Sequence, residues 1–416
     1  MPIATSWKPI VLAGLPAAVL TIAGIARADA VTDSNVRAAE IASTIRLTPV
    51  AVRAMALVQV SVFDAVQSIE GHYRPLIAAP GAKSGASVDA AVAAATRAAL
   101  LATIPGQKEA IETDYQAALA KLATGPAKSE GIAAGERAAA AVLAARARDG
   151  ADAPATYTPR TTPGVYVPTG QPIVPHWGRR TPWVMSAGSQ FRPAPPPRLD
   201  SETWHRDLTE VKALGGLRST TRTPEQTAIA RFWNTTSPSV YWPVVRSVAL
   251  ARATNVSESA RLLAEAAIAM DDALIAVFDA KYAFEFWRPI TAIRNGASDV
   301  SDPGWEPLIE TPMHPEYPCA HCIVSASVGA VLEAAIGSGP SPRLRSTSPT
   351  GEGVERSWSS PAEFVREVSE ARIYAGVHYR NSTDVGQAMG RRIGELVVRR
   401  LPDAELRANS PPGTGR

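Results

Sequence analysis

Met55, Val58, Val62 and Val66 recur three or four residues apart, and Ile41 and Ile45 do the same one segment earlier. That spacing lines apolar side chains along one face of a helix. It predicts two helical pieces between about residues 36 and 66, divided near Pro49, which lacks a backbone donor. Three further helical stretches are predicted at 88–103, 106–123 and 127–148. Helical patterns resume at 201–214 and 224–233, then run from Ser257, a candidate N-cap, to about Ile293. Pro289 should kink or end that last helix. A proline-containing loop spans 299–318, and a helix is expected at about 320–336. A Ser/Pro/Gly loop leads to residue 360, followed by helices at 361–373 and 383–401. Alternating β-branched runs are absent, so strand signals are weak throughout. The pattern predicts an all-α fold of stacked helix bundles.

Between residues 151 and 200 the texture changes. Prolines come every few residues, which excludes helix and central strand. Tyr157, Tyr166, Trp177, Trp183 and Phe191 are too many aromatics for a floppy linker. The segment is therefore expected to lie extended over the surface of the domain. It separates an N-terminal helical region, 31–150, from a C-terminal one, 201–416.

Composition narrows the function classes. The 416 residues are 46% hydrophobic but only 6% aromatic, and alanine supplies much of the apolar content, which favours helix. A formal charge of +3 is too small to argue for nucleic acid or a membrane surface. Residues 1–30 read as a signal peptide: Lys8, an apolar run interrupted by Pro16, and the small-x-small sequence Ala28-Asp29-Ala30. Cleavage there would leave no stable membrane anchor and a periplasmic or secreted protein. In such a compartment the two cysteines, Cys319 and Cys322, can oxidise.

Three clusters hold the candidate chemistry. The first is KYAFEFWRP, from Lys281 to Pro289. Seven residues are two helical turns, so Lys281 and Arg288 would share a face. Two buried cations need an anion, unless Asp279 or Glu285 pairs with them locally. The second is HPEYPCAHC, from His314 to Cys322, where a loop runs into a helix whose first amides can bind an anion. Cys319 and Cys322 there can form a disulfide, stay as thiols, or join His314 and His321 around zinc. The third is RIYAGVHYR, with Arg372, Gly376 and His378. Three cations and two imidazoles suit an oxyanion held with a histidine at each end of its axis.

Together these motifs resemble the superfamily of vanadium-dependent haloperoxidases and type-2 phosphatidic acid phosphatases. Lys281, Arg288 and Pro289 match its K-x6-R-P motif. Pro318-Cys319-Ala320-His321 stands where the family has P-S-G-H. Ala371, Arg372 and His378 stand for S-R-x5-H. FEFWRP and RIYAGVHYR are closest to the haloperoxidase branch. The resemblance implies vanadate as cofactor, with phosphate able to occupy the same site. His378 would be the axial ligand to vanadium. Lys281, Arg288, Arg372, Cys319 and Ala320 would hold the oxygens, and His321 would act as acid–base. The small-molecule partners would be hydrogen peroxide, polarised by Lys281, a halide and an organic acceptor. His314, with Phe278, would lie at the halide pocket and points to bromide; capping the loop is the other role open to His314. Cys319 replaces a hydroxyl donor by a weaker thiol, and a Cys319–Cys322 disulfide would remove that donor altogether.

Two rival readings share these residues. A periplasmic acid phosphatase would use His378 as nucleophile and His321 as acid. That branch places an aspartate four residues after the histidine, where this chain has Ser382, with Asp384 two residues further on. A degenerate anion-binding or thiol-redox protein would follow from the altered Cys319-Ala320. The upstream helical faces serve equally as core or as the interface of a homodimer.

Overall fold

The computed structural model describes residues 28–77, 81–296 and 301–401, so all but the end of the expected signal peptide lies outside the described residues. Thirteen α-helices and one two-stranded hairpin form the regular structure among the described residues. In chain order the first eight helices are α1 (Ala30–Ala42), α2 (Thr48–Glu70), α3 (Val88–Thr103), α4 (Lys108–Ala120), α5 (Pro126–Arg146), α6 (Glu202–Gly215), α7 (Pro224–Phe232) and α8 (Pro238–Arg252). The other five are α9 (Val256–Phe284), α10 (Pro289–Asn295), α11 (Ala320–Ile336), α12 (Pro361–Tyr374) and α13 (Arg380–Arg400).

The long helix α9 is the shared wall of two bundles. Its 29 residues rise about 43 Å. Helix α2 packs on it and is joined by α3 and α5; α11 and α13 pack on it from the C-terminal half, with α12 against α11. By length and composition α2 could cross a membrane, against expectation, but 89% of its most apolar stretch is buried inside the protein. Helices α11 and α13 approach closely because α13 offers glycines. A Cβ on Gly390 would stand 2.2 Å from the Ile323 carbonyl oxygen, and one on Gly394 2.3 Å from that of Ser327. This contact fixes the start of α11, where the second motif sits, against α13.

Most predicted helices are present, and the departures have local causes. Helix α9 is capped by Asn255, whose side chain accepts from the Glu258 amide; Ser257, the expected cap, lies inside the helix and is buried. Helix α8 is not among the predicted helices, and its segment contains Pro238 and Pro243. Pro238 occupies the helix start, where no amide is needed, and Pro243 is tolerated five residues in. The loop expected before residue 360 contains the antiparallel pair β1 (Leu344–Thr347) and β2 (Glu355–Trp358). Its strands are four residues long and mostly polar, too short to show a period.

The predicted single helix through residue 293 ends at Phe284. Glu285 adopts φ +49, and Pro289 forces Arg288 into an extended conformation as the cap of α10. Lys281 and Arg288 therefore lie on different elements and do not share a helical face.

The proline-rich segment lies on α9 and is held by buried carboxylates. Asp272 accepts from the amides of Trp183, Val184 and Met185 at 2.7, 3.0 and 3.2 Å. Arg180 forks between Asp271 (2.7 Å) and Asp149 (2.7 Å), and Arg53 also reaches Asp149 (2.9 Å). Burial pushes the Asp149 carboxyl up, but Arg53 and Arg180 outweigh it and hold it at about 2. A carboxylate depressed in the folded state stabilises above its unfolded pKa near 4 and loses that contribution as pH falls through about 2. Wild type should therefore exceed Asp149→Asn by about 2 kcal/mol more at pH 5 than at pH 2. Urea midpoints at the two pH values check this, and a gap that does not narrow in acid refutes it.

Candidate oxyanion site

The three motifs converge on the buried loop before α11. Lys281, in the last turn of α9, donates to the carbonyl oxygens of Pro315 (2.8 Å) and Glu316 (2.7 Å). Arg288 reaches the same loop from α10. It donates to the carbonyls of His314 (2.9 Å) and Val377 (2.7 Å), and its Nη2 lies 3.0 Å from His314 Nδ1. The loop thus brings together the two cations that helical geometry does not. Neither pairs with the local carboxylates. Asp279 is bound by Arg192 and Glu285 by Arg160.

Arg372 comes from the last turn of α12. Gly376, at φ +79, then turns the chain so that His378 faces back toward the loop. A Cβ at Gly376 would meet the Gly215 carbonyl at 2.3 Å. His378 Nε2 lies 3.3 Å from Arg288 Nη1. Arg372 donates to the Trp233 carbonyl at 2.6 Å, and His321, in the first turn of α11, hydrogen-bonds the Trp233 backbone. Trp233 thereby ties the second motif to the third. His321 Nε2 and Arg372 Nε are buried without a partner. Phe278 packs edge-on against His314, ring centres 5.3 Å apart.

Glu316 was not anticipated. Its Oε1 lies 2.7 Å from His378 Nδ1 and accepts from the Tyr379 amide at 3.1 Å, with the side chain fully buried. The available signal was its place inside HPEYPCAH; its partner stands 62 residues away, which no local pattern records. Ser382, where the phosphatase branch has its aspartate, is 3.5 Å from the same Nδ1. Glu316 thus supplies from another loop the carboxylate that Ser382 cannot, and the sequence argument against a phosphatase loses its force.

Cys319 and Cys322 form a disulfide. Neither sulfur has a proton to donate, so Cys319 cannot take the hydroxyl role. It caps α11 instead, with Sγ accepting from the Cys322 amide at 3.2 Å. The pairing also removes both thiolates from any zinc set. Ala320 retains its amide in the first turn, where helix amides have no partner within the helix.

Burial dominates the electrostatics. It lowers the Lys281 ammonium well below the usual lysine range, and Arg288 lowers it further. It brings Arg288 down to about 10 and Arg372 to about 9. His378, His321 and His314 are all driven well below the usual imidazole range by burial and then by the neighbouring cations, so they are neutral. Glu316 is pushed up to about 7 by burial, opposed by Lys281 and Arg288. Three cationic side chains thus face one carboxylate. A bound oxyanion would supply the missing negative charge and give His321 Nε2 and Arg372 Nε a partner. The donor set fits vanadate or phosphate: guanidinium forks and an ammonium for oxygens, and a neutral imidazole nitrogen for the central atom.

Comparison with known proteins agrees with this geometry. Residues 261–404 match a family model described as the VCPO second helical-bundle domain. Vanadium chloroperoxidase of Curvularia inaequalis is 30% identical over 204 residues, which is 41% of this chain. The match spans 34% of that relative's length. The crystal structure of the first bacterial vanadium-dependent iodoperoxidase superposes with a TM-score of 0.77 at 25% identity, covering 90% of this chain and 97% of that one. An apo-type bacterial vanadium-dependent chloroperoxidase superposes with a TM-score of 0.66 over 86% of this chain and 95% of that one; at 16% identity it bears on the fold alone.

Proposed function

We propose that this chain, similar over residues 261–404 to the second helical-bundle domain of vanadium chloroperoxidases, is a member of the superfamily of vanadium-dependent haloperoxidases and type-2 phosphatidic acid phosphatases and a vanadate-dependent haloperoxidase-like enzyme oxidising a halide with hydrogen peroxide. The observation that supports this most is the buried set Lys281, Arg288 and Arg372 around a neutral His378 with only Glu316 opposing it. Vanadate, when bound, supplies a Lewis-acid centre that activates peroxide without changing oxidation state. His378 Nε2 would hold the metal. Lys281, Arg288, Arg372 and the Ala320 amide would hold its oxygens and balance their charge. His321, anchored on the Trp233 backbone, has a free Nε2 with which to take or return a proton. Lys281, poised with a lowered pKa, can donate to a bound oxygen. The edge-on contact of His314 with Phe278 makes a mixed polar and apolar wall suited to bromide. The two bundles of the proposed mature protein work in the periplasm or outside the cell.

The test is halogenation of a diketone dye with hydrogen peroxide and bromide, chloride or iodide, with and without added orthovanadate. Vanadate-dependent turnover, with bromide among the halides used, is the expected result. No turnover with any halide, under reducing and oxidising conditions alike, sinks the proposal.

One observation favours a second reading. A nucleophilic histidine needs a carboxylate on its far nitrogen, and Glu316 stands there. An acid phosphatase would use His378 Nε2 on phosphorus and His321 as the acid. Hydrolysis of an aryl phosphate, with label trapped on His378, would establish it instead.

A further inference from the structure

Two contacts fix the proton on His378 independently. Nη1 of Arg288, 3.3 Å from Nε2, belongs to a guanidinium, which donates hydrogen bonds and accepts none. Nε2 must therefore carry the lone pair. On the opposite side of the ring, Nδ1 lies 2.7 Å from Glu316 Oε1, an acceptor, so Nδ1 carries the hydrogen. Glu316 is itself held. Its Oε1 also accepts from the Tyr379 amide, and the main chain of residues 315 and 316 is gripped by Lys281. The Glu316 amide donates to the Phe286 carbonyl at 2.9 Å, fixing the loop to the chain between α9 and α10.

We propose that Glu316 is a positioning residue for His378: its carboxylate accepts the Nδ1 hydrogen and so leaves Nε2 bare toward the central atom of the bound oxyanion. The inference rests on the reading of this site as one where His378 bonds that atom. It separates bond formation from charge. Among the described residues Glu316 is the carboxylate bonded to His378, and by charge alone it repels an anion. Removing it should strengthen binding of an anion held by charge and hydrogen bonds only. It should weaken binding of one that also needs a bond from Nε2. Vanadate in its five-coordinate form is the second kind, and inorganic phosphate is the first.

The first readout needs no vanadate. Nitrogen-15 shifts of the His378 imidazole, assigned by their loss in His378→Ala, should show Nδ1 protonated and Nε2 bare in wild type and in Glu316→Gln, whose amide oxygen still accepts. Glu316→Leu should show a mixture of tautomers. A wild-type ring protonated on Nε2 overturns the proposal. The second readout is affinity by equilibrium dialysis. In Glu316→Leu orthovanadate should bind about 10- to 100-fold more weakly, the usual loss when a metal-bound histidine loses its carboxylate. Phosphate should bind as well as before or tighter, and Glu316→Gln should recover most of the vanadate affinity. Equal loss of both anions, or no loss of either, refutes the positioning role. A wild type that binds phosphate and not vanadate would defeat the haloperoxidase reading, while the tautomer measurement still decides the role of Glu316.

Discussion

His378→Ala should lose orthovanadate binding by about 100-fold or more and lose vanadate-dependent halogenation with it. The imidazole meets Arg288 in the cradle through Nε2 at 3.3 Å, with Nδ1 turned to Glu316 on the other side of the ring. Its deletion removes the bond to the central atom and leaves the three cations in place. Phosphate affinity should therefore fall much less than vanadate affinity. The fold should survive at reduced stability. Glu316 loses its partner at Nδ1 but keeps the Tyr379 amide, and an under-satisfied buried acceptor costs about 1–3 kcal/mol. The cavity left has the size and partners of imidazole itself, with Glu316 at one end and Arg288 at the other. Millimolar imidazole should restore part of the vanadate binding. Dialysis against vanadate with and without imidazole, alongside a urea melt, gives the result. Undiminished vanadate binding in the folded variant would remove His378 from the role of ligand.

How much of this was legible follows the range of each signal. Lys281, Arg288, Arg372 and His378 could be singled out as candidates because their motif spacings are written in the sequence. The geometry first attached to them was wrong. Helix periodicity put Lys281 and Arg288 on one face, whereas a left-handed Glu285 and an extended Arg288 split them between two elements. Their meeting is made by the 314–316 loop, through carbonyl oxygens that no residue pattern encodes. Trp233 is the same case: its carbonyl, not its indole, joins Arg372 to the site. Glu316 was visible as a letter and silent as a role, since a carboxylate announces itself only through its partner. Helix α8 failed for the opposite reason. Its two prolines are strong local signals, and burial of Val240, Tyr241, Trp242, Val244 and Val245 in the core overrode them. The cysteines were open between disulfide, thiol and zinc because three-residue spacing at a helix start permits all three; proximity in the fold closed the question.

Arg288→Met should abolish stabilisation of the protein by oxyanions. In wild type, phosphate at about a hundred times its dissociation constant should add about 2.7 kcal/mol to the unfolding free energy, because it binds the folded state alone. For a chain of this length that is a rise of a few degrees in midpoint. Arg288 is the residue on which this depends most. It is fully buried and contacts both His314 and His378. Methionine conserves its apolar length while removing every donor, so the carbonyls of His314 and Val377 lose a charged partner and the anion loses a fork. Two effects then oppose each other without ligand. The broken hydrogen bonds destabilise, each charged one by about 1.5–3 kcal/mol. The loss of one buried cation relieves repulsion on Lys281 and Arg372, both of which Arg288 holds down. The ligand-free variant should accordingly be destabilised by less than its two lost carbonyl contacts imply, while the phosphate response vanishes. Arg288→Lys separates the terms: it retains the charge but not the fork, and should keep a reduced phosphate response. Thermal melts of the three proteins across a phosphate titration measure all of this. A full phosphate shift in Arg288→Met would show that the anion binds elsewhere, and the oxyanion cradle would have to be abandoned.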